Sequence, residues 1–130
     1  MIVRVSEQEQ TSPKKRLLIA DDEPSLRRFV QAVLEMQGHE VVAVEDGQKA
    51  LEAARNGNFD GIVLDIMMPY MTGIEVLKHL RLEPETRDTF VVLLTSQSSE
   101  DDVNEGLWHG ANLYLTKPVS PQVLASVFEK

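Results

Sequence analysis

A chain of 130 residues, 42% hydrophobic and 26% charged, is long enough for one self-sufficient core, and its lack of cysteine excludes disulfides and thiolate metal sites. A formal net charge of -8 argues against direct contact with nucleic acid, whose phosphates call for a basic face, and suits a basic partner or a divalent cation. No apolar run approaches the roughly 20 residues of a membrane span, and the opening lacks the basic-then-apolar order of a signal peptide. The expected location is therefore cytoplasmic, with no membrane role.

Residues 1–15 read as a flexible N-terminal leader built around Ser6-Glu7-Gln8-Glu9-Gln10, in which Ile2, Val3 and Val5 could add a brief edge pairing. The domain proper is expected over 16–130. Arg16-Leu17-Leu18-Ile19-Ala20 is a continuous apolar run, the mark of a strand buried on both faces, and it ends abruptly in Asp21-Asp22-Glu23. Pro24 suits a first helical turn, Leu26, Phe29, Val30, Val33 and Leu34 recur at helical spacing, and Gly38 supplies the stop. Glu40 to Val44 is the second strand, followed by an Asp46-capped helix carrying Ala50, Leu51 and Ala54 that Asn56-Gly57 should close.

Gly61-Ile62-Val63-Leu64-Asp65 is a third apolar strand, ending on a lone carboxylate before a Met68-Pro69 turn and a helix from Gly73 to about Leu82. A loop over 83–88 leads to Phe90-Val91-Val92-Leu93-Leu94, which ends in Thr95-Ser96. A helix from about Ser99 to His109 stops at Gly110, and Leu113-Tyr114-Leu115 ends in Thr116-Lys117-Pro118. Ser120-Pro121 caps a last helix running to Lys130. Five strands alternating with five helices predict right-handed crossovers and a parallel sheet covered on both faces.

In such sheets ligands gather beyond the carboxyl ends of the strands, where Asp21, Asp22, Asp65, Thr95, Ser96 and Lys117 all fall. Carboxylates crowded there repel and raise one another's pKa, and a hard divalent cation resolves the conflict. Oxygen-only ligands favour magnesium. The result is a phosphoryl-transfer site. Lys117 and the cation neutralise the incoming oxygens, the Thr95 hydroxyl bonds one of them, and a carboxylate attacks in line.

Asp21-Asp22, Asp65 with Met68-Pro69 and Gly73, Thr95-Ser96, and Lys117-Pro118, in that order at those strand ends, resemble the response-regulator receiver domain of two-component signalling. The resemblance implies a flavodoxin-like, doubly wound, three-layer α/β/α fold with strand order 2-1-3-4-5. It makes Asp65 the phosphoacceptor for a histidine kinase, a phosphotransfer protein or a small-molecule donor. Asp22, Asp65 and the Met67 backbone carbonyl would bind Mg2+, with Asp21 behind them or acting through water. Thr95 and Tyr114 would form the switch, and Lys117 would pair with a phosphoryl oxygen ahead of a cis Pro118. A downstream protein would read the face of helix four, strand five and helix five, and phosphorylation could drive homodimerisation. Such a domain is a switch rather than an enzyme, catalysing only its own phosphorylation and dephosphorylation. Met67 and Gln97, two residues beyond Asp65 and Thr95, would tune the lifetime of the phosphoryl group.

Plainer readings stand beside these. Asp21-Asp22-Glu23 also suit the positive end of a helix dipole, Thr95-Ser96 an ordinary strand end, and Tyr114 simple packing. Trp108, if exposed, offers a partner anchor beside Tyr114. His39, His79 and His109 read as surface residues, and Met67, Met68 and Met71 as loop packing. Three rival functions remain: a receiver-like interaction module that has lost phosphotransfer, the excised receiver of a DNA-binding regulator, and an aspartyl-nucleophile phosphatase. The last usually needs Asp-x-Asp after the first strand, where this chain has adjacent acids.

Overall fold

The computed structural model describes residues 14–96 and 100–129, with the side chains of 100–103 set aside. Its elements alternate as β1 Arg16–Ala20, α1 Pro24–Met36, β2 Glu40–Val44, α2 Gly47–Gly57, β3 Gly61–Asp65, α3 Gly73–Leu82, β4 Phe90–Thr95, α4 Glu100–Trp108, β5 Leu113–Thr116 and α5 Pro121–Val127. All five strands pair in parallel in the order β2-β1-β3-β4-β5. The chain moves outward from β1 to β2, then returns past β1 to lay down β3. The switch point therefore falls between the ends of β1 and β3.

The apolar runs have a simple cause. Successive strand residues point to opposite faces, and here each face carries its own core. Leu18, Ala20, Ile62, Leu64, Val91 and Leu93 join Ala50, Leu51, Ala54 of α2 and Ile74, Leu77, Leu80 of α3 on one side. Leu17, Ile19, Val63, Val92 and Leu94 meet Val30 and Leu34 of α1 and Leu124 of α5 on the other. Burying such side chains contributes roughly 1.5–3 kcal/mol each, which makes the sheet a rigid base for whatever its ends carry.

The helix starts follow their local chemistry. Pro24 opens α1, Asp46 accepts the Lys49 amide at 2.8 Å, Thr72 and Glu75 form a reciprocal capping box, and Ser120 caps α5. Gly38 ends α1 with φ 93°.

The helix that Asn56-Gly57 should close does end at Gly57, with Asn58 as its left-handed C-cap. Three expectations need correction. The last helix stops at Val127, and Phe128 turns inward to pack edge-on against Phe90 and His39. His39 is buried rather than superficial, its Nδ1 accepting the Lys15 amide at 3.1 Å. Met67 is exposed, while Met68 and Met71 do pack. The leader over 1–13 and Gln97 lie outside the described residues.

Candidate functional site

The strand ends bring the acidic residues together. Asp65 closes β3 with its side chain buried, and Asp21 follows β1 fully buried, its amide held by Val44 O at 3.2 Å. Asp22 stands exposed beside them, and ligand oxygens of Asp21, Asp22 and Asp65 lie within 4.8 Å of one another. Beyond β5, the Lys117 amide donates to Thr95 O at 2.7 Å, which fixes where that chain turns. Its ammonium then reaches Asp65 Oδ2 at 2.9 Å and stands 4.0 Å from Asp21 Oδ2. The bond between Lys117 and Pro118 is cis, as the resemblance implied.

The electrostatics follow from burial. Asp21 Oδ1 accepts the Glu23 amide at 3.0 Å, but Oδ2 makes no hydrogen bond among the described residues. Loss of water pushes the Asp21 carboxyl up to about 6, and the negative charge of Asp65 adds to the rise. One lysine thus faces two buried carboxylates. This arrangement fits a hard cation: the donors are all oxygens, one buried oxygen has no hydrogen bond among the described residues, and no histidine or thiolate is in the cluster.

Of the other residues singled out by sequence, Thr95 ends the neighbouring strand, buried, level with Thr116. Met67 donates its amide to Asp65 Oδ1 at 3.3 Å. Tyr114 lies against the α2/α3-side core, its hydroxyl buried and without a hydrogen bond among the described residues. Trp108 is 84% exposed but ends α4, next to the turn at Gly110 that Arg81 holds from the end of α3. It therefore sits at the sheet's opposite edge, away from the carboxylates.

Sequence reasoning passed over two contacts behind the site. A methyl on Gly73 would collide with Asp65 O, and one on Gly47 with Met71 O, so both helices start directly against the loop that follows Asp65. The glycines were visible; the surfaces they touch were not.

A family model described as the response regulator receiver domain matches residues 17–129. The phosphate regulon transcriptional regulatory protein PhoB of Escherichia coli K12 is 41% identical over 112 residues, covering 86% of this chain and 49% of the relative. The chain thus spans about half the length of the curated relatives it matches. Among solved structures, the chemotaxis response regulator CheY4 of Vibrio cholerae superposes with a TM-score of 0.83 at 35% identity, over 88% of this chain and 96% of its own. The receiver domain of the sensor histidine kinase PA1611 of Pseudomonas aeruginosa PAO1, solved with magnesium in its active-site cleft, gives 0.82 at 26% identity, over 89% and 95%.

Proposed function

The chain belongs to the response-regulator receiver family, and from that premise we propose that Asp65 accepts a phosphoryl group and passes the event to a partner protein. Receiver domains act as phosphorylation switches rather than as conventional enzymes, and their acidic cluster binds Mg2+. The observation that carries the assignment is the convergence on Asp65 of Lys117 Nζ at 2.9 Å and of two further carboxylates.

In the transfer, an Asp65 carboxylate oxygen attacks phosphorus while the bond from phosphorus to the donor breaks. With a phosphohistidine donor the electron pair returns to the imidazole nitrogen, leaving an acyl phosphate on Asp65. Lys117 moves from the carboxylate to a phosphoryl oxygen, and Thr95, at the adjacent strand end, bonds another. Asp22, Asp65 and the Met67 carbonyl would hold magnesium, with Asp21 behind them; when bound, the cation supplies positive charge against the phosphoryl oxygens.

The readout is a change at Thr95 and Tyr114 that reshapes the face of α4, β5 and α5. The buried Tyr114 hydroxyl, which has no hydrogen bond among the described residues, supports this role, since burying such a group unpaired costs about 1–3 kcal/mol. Phosphorylation adds roughly -1.5 to -2 charges. Charge-assisted hydrogen bonds worth about 1.5–3 kcal/mol each approach the ~5.5 kcal/mol needed for a full population shift, and the partner's binding supplies the rest. The partners are a histidine kinase or phosphotransfer protein upstream and a protein target downstream. Similarity to a phosphate regulon transcriptional regulatory protein supports a second reading of the output, in which this domain is the receiver of a DNA-binding regulator.

Intact mass after treatment with acetyl phosphate and Mg2+ tests the assignment. One phosphoryl group on the unaltered chain and none on Asp65→Asn is the expected result. Equal labelling of both would place the acceptor elsewhere.

A further inference from the structure

The loop between Asp65 and α3 contains a strained turn that the chemistry above does not use. The Met71 amide donates to Pro69 O at 2.7 Å, and Tyr70 between them has φ 69°. A hydrogen bond closed over one residue at positive φ is the rare, strained form of γ-turn, and a bulky aromatic is poorly suited to that region. Such strain persists only where the surroundings over-determine it.

Here the surroundings include two close backbone approaches. Gly73 presses on Asp65 O from one side and ties its amide to Ile66 O at 2.9 Å. Gly47, the first residue of α2, presses on Met71 from the other. A methyl there would collide with Met71 O and lie 2.8 Å from Met71 Cβ. The first obstacle is backbone, which cannot rotate aside like a side-chain tip. Nor can α2 retreat, because Asp46 caps it and Ala50, Leu51 and Ala54 seat it in the core. Any added bulk must therefore displace the loop.

We propose that Gly47 is a positioning residue for the acceptor loop. By carrying no side chain it lets the first turn of α2 close on the Met71 carbonyl, and so holds 66–72 in the strained form that sets the Met67 backbone against Asp65. The inference rests on Asp65 being the acceptor.

Three variants test it. Gly47→Ala should speed hydrogen exchange of the Gly73 amide, read by NMR, and weaken Mg2+ binding about tenfold by calorimetry, the usual cost of disturbing a metal site's outer supports. Gly57→Ala, at the other end of the same helix and against the Phe59 ring, should lower the thermal midpoint and change neither reading. Should Gly47→Ala not fold, the pair Gly47→Ala/Tyr70→Gly decides, since glycine at 70 relieves the strained turn and lets the loop yield to the added methyl. The pair should fold, with a loosened Gly73 amide. A folded Gly47→Ala with unchanged Gly73 exchange and unchanged Mg2+ affinity overturns the proposal, as does unchanged Gly73 exchange in the folded pair Gly47→Ala/Tyr70→Gly where Gly47→Ala alone is unfolded. The amide reading is independent of phosphoryl chemistry. An unaltered chain that takes no phosphoryl group therefore counts against the acceptor reading alone, while exchange still judges Gly47.

Discussion

Where the strands begin, Arg16 donates to Glu40 and Gly57 O and lies over the Phe59 ring, Arg55 grips Glu83 through two nitrogens, and Arg81 spreads across Gly110 O, Asn112 Oδ1 and Arg87 O. Where the same strands end, two buried carboxylates share one lysine, one carboxylate oxygen has no hydrogen bond among the described residues, and the next loop holds a tyrosine at positive φ. One edge is satisfied and the other is held under tension by the core beneath it. Local rules that a chain breaks at one place and keeps elsewhere mark where function is carried.

Several substitutions sharpen or break this contrast. The largest effect is expected at Lys117, the cation nearest both buried acids. Lys117→Ala should slow phosphoryl acceptance from acetyl phosphate about a hundredfold or more, as removal of a preorganised charge-stabilising donor does. A rate near that of the unaltered chain would break the account of the charged edge. At the satisfied edge, Arg81→Met removes a guanidinium that ties the end of α3 to the turn before β5. It should lower stability by about 2 kcal/mol in urea titration, with phosphoryl acceptance by the folded protein unchanged. The smallest effect belongs to Arg55→Ala. Its ion pair with Glu83 is open to water, so the urea midpoint should stay within error, and salt should erase any remaining difference.

Much of the fold was legible because parallel strands covered on both faces carry near-continuous apolar runs, as β1, β3 and β4 do between Leu17 and Ala20, Ile62 and Leu64, and Phe90 and Leu94. Turn and cap residues such as Gly38, Asp46 and Ser120 marked the boundaries. The convergence of Asp21, Asp22, Asp65 and Lys117 was legible because polar side chains at the ends of parallel strands are brought to one edge by the topology. His39 was not, since its burial depends on Phe128 folding back from beyond α5, a contact across most of the chain. Arg81 and Gly47 were hidden for the same reason: a helix surface shows its residues in sequence, but not the carbonyls it will touch. Trp108 was left open between packing and exposure, and both its exposure and its place at the far edge are decided by where α4 ends.

The central claim is that the acidic edge is kept charged at the expense of stability, and Asp21→Asn tests it most directly. The folded Asp21 carboxyl titrates at about 6 against 3.8 when unfolded, so its ionisation destabilises the native state increasingly as pH rises through that window. Thermal unfolding of Asp21→Asn and the unaltered chain is compared at pH 8 and pH 5, with and without Mg2+. At pH 8 without metal, the account expects the Asp21→Asn variant to melt higher by on the order of a few degrees. The gap should start to narrow as pH falls below about 6, where the unaltered side chain takes up its proton in the folded state, should be clearly smaller at pH 5 and should close only toward 3.8. It should also narrow at pH 8 when Mg2+ is added. An unaltered chain that melts as high or higher at pH 8, or a gap indifferent to both pH and Mg2+, would contradict it.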